Sequence, residues 1–247
     1  MSSKKENMLG VIFDDYKSEF PIVDSNNSSY YIPFFKDDEY FSSYENYIRF
    51  IKSVESLVRK HSFYKKYISY LINVVGMNTC QVLSNISAED EGKHKEKLTI
   101  ELHHGPMLTL FDICCIVTNY LMATNAKDIT TFRVANIVLE EHRLNNVRVV
   151  LLTKTVHDMV HEDNIQLNYN MGFGDTATFL KKYMIGVDKD MRIRINKYIK
   201  WSQTNDSFDN GVLEVAETMK TYGNNDFDEF DSLDTSTMPD IDYKHYS

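Results

Sequence analysis

This chain is poor in the residues that break or cross-link a polypeptide. Four prolines and nine glycines among 247 residues exclude a collagen-like or linker-dominated protein. Its three cysteines, Cys80, Cys114 and Cys115, are odd in number and two are adjacent, which excludes a disulfide framework and points to a reducing, intracellular setting. Buried, small apolar positions suit them better than metal ligation. No stretch approaches the ~18–20 uninterrupted apolar residues of a membrane span. The longest apolar segment, LTLFDICCIVTNYLMA, is interrupted by Asp112 and Asn119 and reads as a core helix. The first twenty residues lack a sustained apolar run, so no secretory leader is expected and the reading is cytoplasmic. No internal repeat is visible.

What is present begins with a core. Hydrophobic residues make up 43% of the chain, enough for one domain with extensions. The net charge of −9 is localised: residues 205–247 hold eleven Asp/Glu and two Lys, and the remainder carries 25 residues of each sign. A neutral body is free to present a basic face, and residues 181–200 (KKYMIGVDKDMRIRINKYIK) place seven Lys/Arg against two Asp, with Tyr183 and Tyr198 between them. Such a stretch suits phosphate contacts, or equally a solvated helix face.

The pattern predicts a mostly helical α+β protein. Helical spacing runs over 44–60, 62–73, 108–123, 130–143, 177–184 and 189–201, with a short helix over 212–222. Ser62 is the expected N-cap between the first two helices. Strands are expected over 79–86, over 98–104 and over 147–152, the first two joined by the charged run 87–97. Residues 1–40 read as an arm on the body, 41–204 as the main domain and 205–247 as an acidic tail.

The chemistry lies in two histidine pairs. His103-His104 close the alternating run KLTIELHHGP, and His157 and His161 lie four apart in VRVVLLTKTVHDMVHE, where a strand pattern turns helical behind a Thr153 or Thr155 cap. Positions i and i+4 share one helix face with β-carbons about 5–6 Å apart, so two imidazoles can reach one metal ion and a third ligand can arrive from elsewhere. Either pair alone carries little information, because strand neighbours point to opposite faces. Together, each beside an apolar strand, they form a strand–insert–strand–helix frame with metal-ligand spacing.

LHHGP followed by VVLLTKTVHDMVHE resembles the HNH (ββα-metal) nuclease motif, in the HH…HxxxH form of the nuclease colicins. The wider stretch 64–171 is similar to uncharacterised bacteriophage proteins described as HNH nucleases, which implies a viral source and a host-cell cytoplasmic setting. The resemblance implies a ββα-metal core with a two-helix insertion, flanked by helices, holding one divalent ion. It implies that His103, His157 and His161 are the ligands and His104 the general base. Fifty-two residues separate His104 from His157, a gap that the two inserted helices fill. The motif's asparagine, which orients the base, falls at about Arg148, with Asn146 and Asn145 just before it, so Arg148 and Asn146 join His104 as candidate catalytic residues. Arg148 or Lys154 could also clamp a phosphate oxygen.

The expected activity is hydrolysis or nicking of DNA phosphodiester bonds, with a neutral histidine accepting a proton from water. Three imidazoles favour zinc, nickel or manganese over magnesium. Glu101, Asp158 and Glu162 are candidates to orient the imidazoles. The alternative is a catalytically weak scaffold binding DNA or protein in a viral nucleoprotein or transcription assembly. In the tail, Phe227, Phe230 and Leu233 sit among five carboxylates over 224–234, a spacing that suits folding into a partner's groove. It loosely resembles the acidic–aromatic peptides that hook a sliding clamp, which would make a clamp or polymerase component the partner.

Overall fold

The computed structural model describes residues 20, 35–87, 99–205 and 208–222. Most of the expected 1–40 arm, the connection 88–98 and the segment 224–234 lie outside the described residues.

Helices dominate because apolar residues recur at helical spacing and polar side chains close the ends. Asp37 caps α1 (Asp38–Ser42) and Ser43 caps α2 (Tyr44–Lys60). Helix α2 buries Phe50, Ile51, Val54 and Val58 on one face. His61, rather than the expected Ser62, caps α3 (Ser62–Tyr70): its Nδ1 accepts from the Phe63 amide at 3.1 Å. A neutral imidazole nitrogen can replace a hydroxyl here because its lone pair meets the same free amide. The chain then widens into a π-helical turn (Leu71–Val75) ended by Gly76 at φ 85°.

Strand β1 (Ile100–His104) pairs antiparallel with β2 (Val149–Thr153), His103 opposite Val150 and His104 opposite Val149. Between them lie α4 (Leu110–Ala123) and α5 (Thr131–Arg143), the predicted insertion. Thr109 and Asp112 form a capping box at the start of α4. The two residues that interrupt its apolar run are both partnered. Asp112 takes the Arg194 guanidinium at 2.6 and 3.1 Å. Asn119 accepts from the Tyr47 hydroxyl at 2.9 Å and donates to the Gly186 carbonyl at 3.1 Å. Directly after β2 comes α6 (Lys154–His161), capped by Thr153. Helices α7 (Thr176–Tyr183), α8 (Lys189–Thr204) and α9 (Asn210–Tyr222) complete the described chain.

Residues 79–86 are not the expected strand. They form a turn with one isolated bridge, Thr79 to Ser87, and the Gln81 amide donates to Leu151 of β2 at 2.8 Å. On the same strand Val149 exchanges two 2.8 Å backbone bonds with Phe173. Single contacts thus satisfy polar groups along β2 that another strand would otherwise cover.

The two-stranded sheet separates two apolar clusters. Its inner face, with Leu102, Val149 and Leu151, joins the main helical core, in which α2 packs on α4 and α5. Its outer face, with Val150 and Leu152, meets Val156 of α6, Leu167 and Cys80. All three cysteines are free and buried. Helix α9 buries Val212, Val215 and Met219, so the body reaches Tyr222, beyond the boundary expected at 204. No helix among the described residues is long and apolar enough to cross a membrane.

Candidate metal centre

Strand alternation decides which side chains of IELHH face which way. Glu101 and His103 point to the outer face of β1, where α6 packs, and Leu102 and His104 point inward. Because α6 starts at the last residue of β2, its first two turns lie over that outer face. His157 and His161, four apart, then look back at His103. The ring centroids stand 5.2 Å (His103–His157), 5.1 Å (His103–His161) and 4.5 Å (His157–His161) apart. One potential ligand atom from each lies within 4.8 Å of the others.

The geometry and protonation of the set suit a divalent ion. His157 Nδ1 lies 3.2 Å from Glu101 Oε2. The carboxylate therefore holds the proton on Nδ1 and leaves the Nε2 lone pair for ligation. That Nε2 stands 3.3 Å from His161 Nε2. Two nitrogens on a tetrahedral zinc at about 2.0–2.1 Å are separated by roughly the same distance. Burial, with the neighbouring His157 and His161, pushes the His103 pKa down to about 3, and burial with His161 lowers that of His157. Both rings are neutral near pH 7, the form a metal requires. Gly105 leaves the room: a β-carbon there would meet His103 Nε2 at 2.9 Å and Cδ2 at 3.1 Å. The site has a closed side at the strand, where His103 is 7% exposed, and an open side at His161.

The other expected site residues are elsewhere. His104 is 5% exposed and turned into the core, where its Nε2 lies 2.9 Å from His142 Nε2 and its ring is parallel to that of Tyr64. It has no path to water at the three-histidine cluster. Asn146 donates to Glu141 at 2.7 Å, and Glu141, fully buried, also takes Lys182 and the Tyr183 hydroxyl. The Arg148 guanidinium lies 3.5 Å over the Tyr169 ring and donates to the carbonyls of Tyr169 and Gly174. It therefore staples the 169–174 loop to β2. The Asn146 and Arg148 side chains are held in these contacts, and the Arg148 carbonyl accepts from the Gly105 amide at 3.4 Å.

The basic stretch 181–200 is also partly consumed. Lys182 serves Glu141, Arg194 serves Asp112, and Arg192 donates to the Val187 carbonyl at 3.1 Å. Two relevant residues escape a sequence reading. Arg59, in the last turn of α2, is half exposed, and its charge is felt at His103, His104 and His157. His142, buried in α5, is the partner of His104. Neither carries a local signal, since each reaches the sheet from a separate element.

No curated protein and no solved structure matches the chain. A family model does, over residues 3–227, which include the strands, both inserted helices and all three clustered histidines. By that match the chain belongs to the bacteriophage G278-like virion protein family.

Proposed function

We propose that this phage protein is a metal-dependent endonuclease of the HNH-like ββα type, carried with the virion and directed at DNA. The convergence of His103, His157 and His161 on an antiparallel strand pair followed at once by a helix carries the reading. His103, His157 and His161 would hold the ion, and Glu101 fixes the tautomer and azimuth of His157. When bound, a zinc, nickel or manganese ion supplies a Lewis acid for a phosphodiester oxygen and for the departing 3′ oxygen. Arg59, paired with Glu55 at 3.6 Å, adds positive charge felt at His103 and His157 and would favour an anionic substrate. His104 contributes no proton transfer from its buried position, so the proton acceptor is solvent and the chemistry is expected to be slow.

A second reading has its own observation. With His104 bonded to His142 and Arg148 committed to Tyr169, the ion would act as a structural staple in a virion protein that binds DNA or another virion component. Incubating supercoiled plasmid with the full chain and Mn²⁺, Ni²⁺, Zn²⁺ or Mg²⁺ separates the two. The nuclease reading predicts nicked or linear product with the parent and none with His157→Ala. No product under any metal, with metal still raising the melting temperature, favours the staple.

A further inference from the structure

The insertion does more than lengthen the chain between the two histidine pairs. Its second helix, α5, ends behind β1 and places His142 against His104. His142 Nδ1 lies 2.7 Å from the Val138 carbonyl four residues earlier. A carbonyl only accepts, so Nδ1 carries the hydrogen and Nε2 presents a lone pair. The 2.9 Å contact then requires His104 to donate through its own Nε2–H. The chain of bonds has one direction: His104 to His142 to Val138. Neither ring can turn over without leaving a buried polar atom unpaired. Three aromatic contacts surround the pair. Tyr64 stacks on His104 with an interplanar angle of 9°, and Tyr64 and Tyr67 meet His142 edge-on at 77° and 86°.

An apolar pair would fill this space as well, without needing a hydrogen bond. A directional bond adds a fixed rotation of the last residue of β1. His104 is the immediate neighbour of His103, so fixing its azimuth inward fixes that of His103 outward, toward α6. The same arrangement explains why two histidines stand side by side: one faces the metal cluster and the other anchors the strand from behind.

We propose that His142 is a positioning residue for the three-histidine centre, acting through its hydrogen bond to His104 to hold His103 in ligating orientation. The inference rests on the metal-binding reading of that centre.

Cobalt(II) titration of the full chain, followed by the visible absorption of the bound ion, tests it with four proteins. His142→Phe keeps the ring and loses the bond, and His142→Gln keeps an acceptor. Val215→Ala, in α9, removes buried volume from a helix that packs chiefly on α7 and α8. The expected result is about tenfold weaker cobalt binding with His142→Phe, the scale of outer-sphere effects at metal sites. Glutamine should recover most of that affinity, and Val215→Ala should bind as the parent does. Equal affinity for folded His142→Phe and the parent overturns the inference alone, as does an equal loss in Val215→Ala. A parent that takes up no cobalt overturns the metal reading itself. Should His142→Phe fail to fold, His104→Leu breaks the same bond from the strand side and carries the same expectation.

Discussion

At the scale of single residues, the histidines divide by solvent access. His103, His157 and His161 meet at a surface with one open side, and His104 and His142 are sealed in the core. Glu101 acts on the first group, and its replacement by Gln removes the charge that holds the His157 proton on Nδ1. Metal affinity should fall roughly tenfold, measured by competition against a chromophoric chelator. Gly105→Ala tests the space beside His103. The added methyl falls within 3 Å of Nε2, so metal binding should weaken relative to the parent. The buried pair sets a pH dependence. Burial lowers the His142 pKa to about 4 and that of His104 well below its ordinary value, whereas both titrate near 6.5 in the unfolded chain. The unfolded state therefore binds more protons below that point, so stability is complete above pH ~6.5 and falls as pH drops toward about 4. Urea midpoints across that interval should decline, and His142→Gln should flatten the slope. The pairing of His157 with His161 was legible in the sequence because i,i+4 spacing puts both on one helix face, whereas His103 joins them from a strand and the spacing alone did not name it. His104 turns to the other side from His103, against His142 and Tyr64, because adjacency in sequence is separation in space on a strand.

Elements were legible where periodicity and capping agree. The span of α2 was readable to the residue, and α4 and α5 to within two, because apolar faces coincide there with the Ser43, Thr109 and Thr130 caps. The run 79–86 has strand composition yet no ladder partner, and tertiary contact reduced it to a turn beside β2. The basic stretch shows a different limit: periodicity reveals that α8 is a helix but not which cations pair with other elements. Arg194 crosses to Asp112, a carboxylate 3% exposed that also closes the α4 capping box. Removing the cation leaves a buried charge without its partner, so Arg194→Ala should cost roughly 3 kcal/mol, read from denaturant unfolding. The same change at Lys197, for which no such partner is present among the described contacts, should cost far less.

For the whole molecule, the family model spans nearly the entire chain, consistent with strands, insertion and α9 acting as one unit. Truncation after residue 205 removes Val212, Val215 and Met219 from the core, each contributing about 1.5–3 kcal/mol of burial, and should destabilise the protein severely. Truncation after residue 222 keeps all three of these core residues. If the chain binds DNA, affinity should stay the same in that shorter chain where the acidic tail only hooks a partner. A rise in affinity at low salt would instead make the tail a lid.

The three-histidine metal centre proposed for this phage virion protein sits on a strand–strand–helix frame. Titration calorimetry of the purified chain with Zn²⁺ tests it most directly. One ion per chain is expected in the parent, with loss of that binding in both His157→Ala and His103→Ala and the fold retained. No saturable binding, or an unchanged isotherm in those two variants, would contradict it.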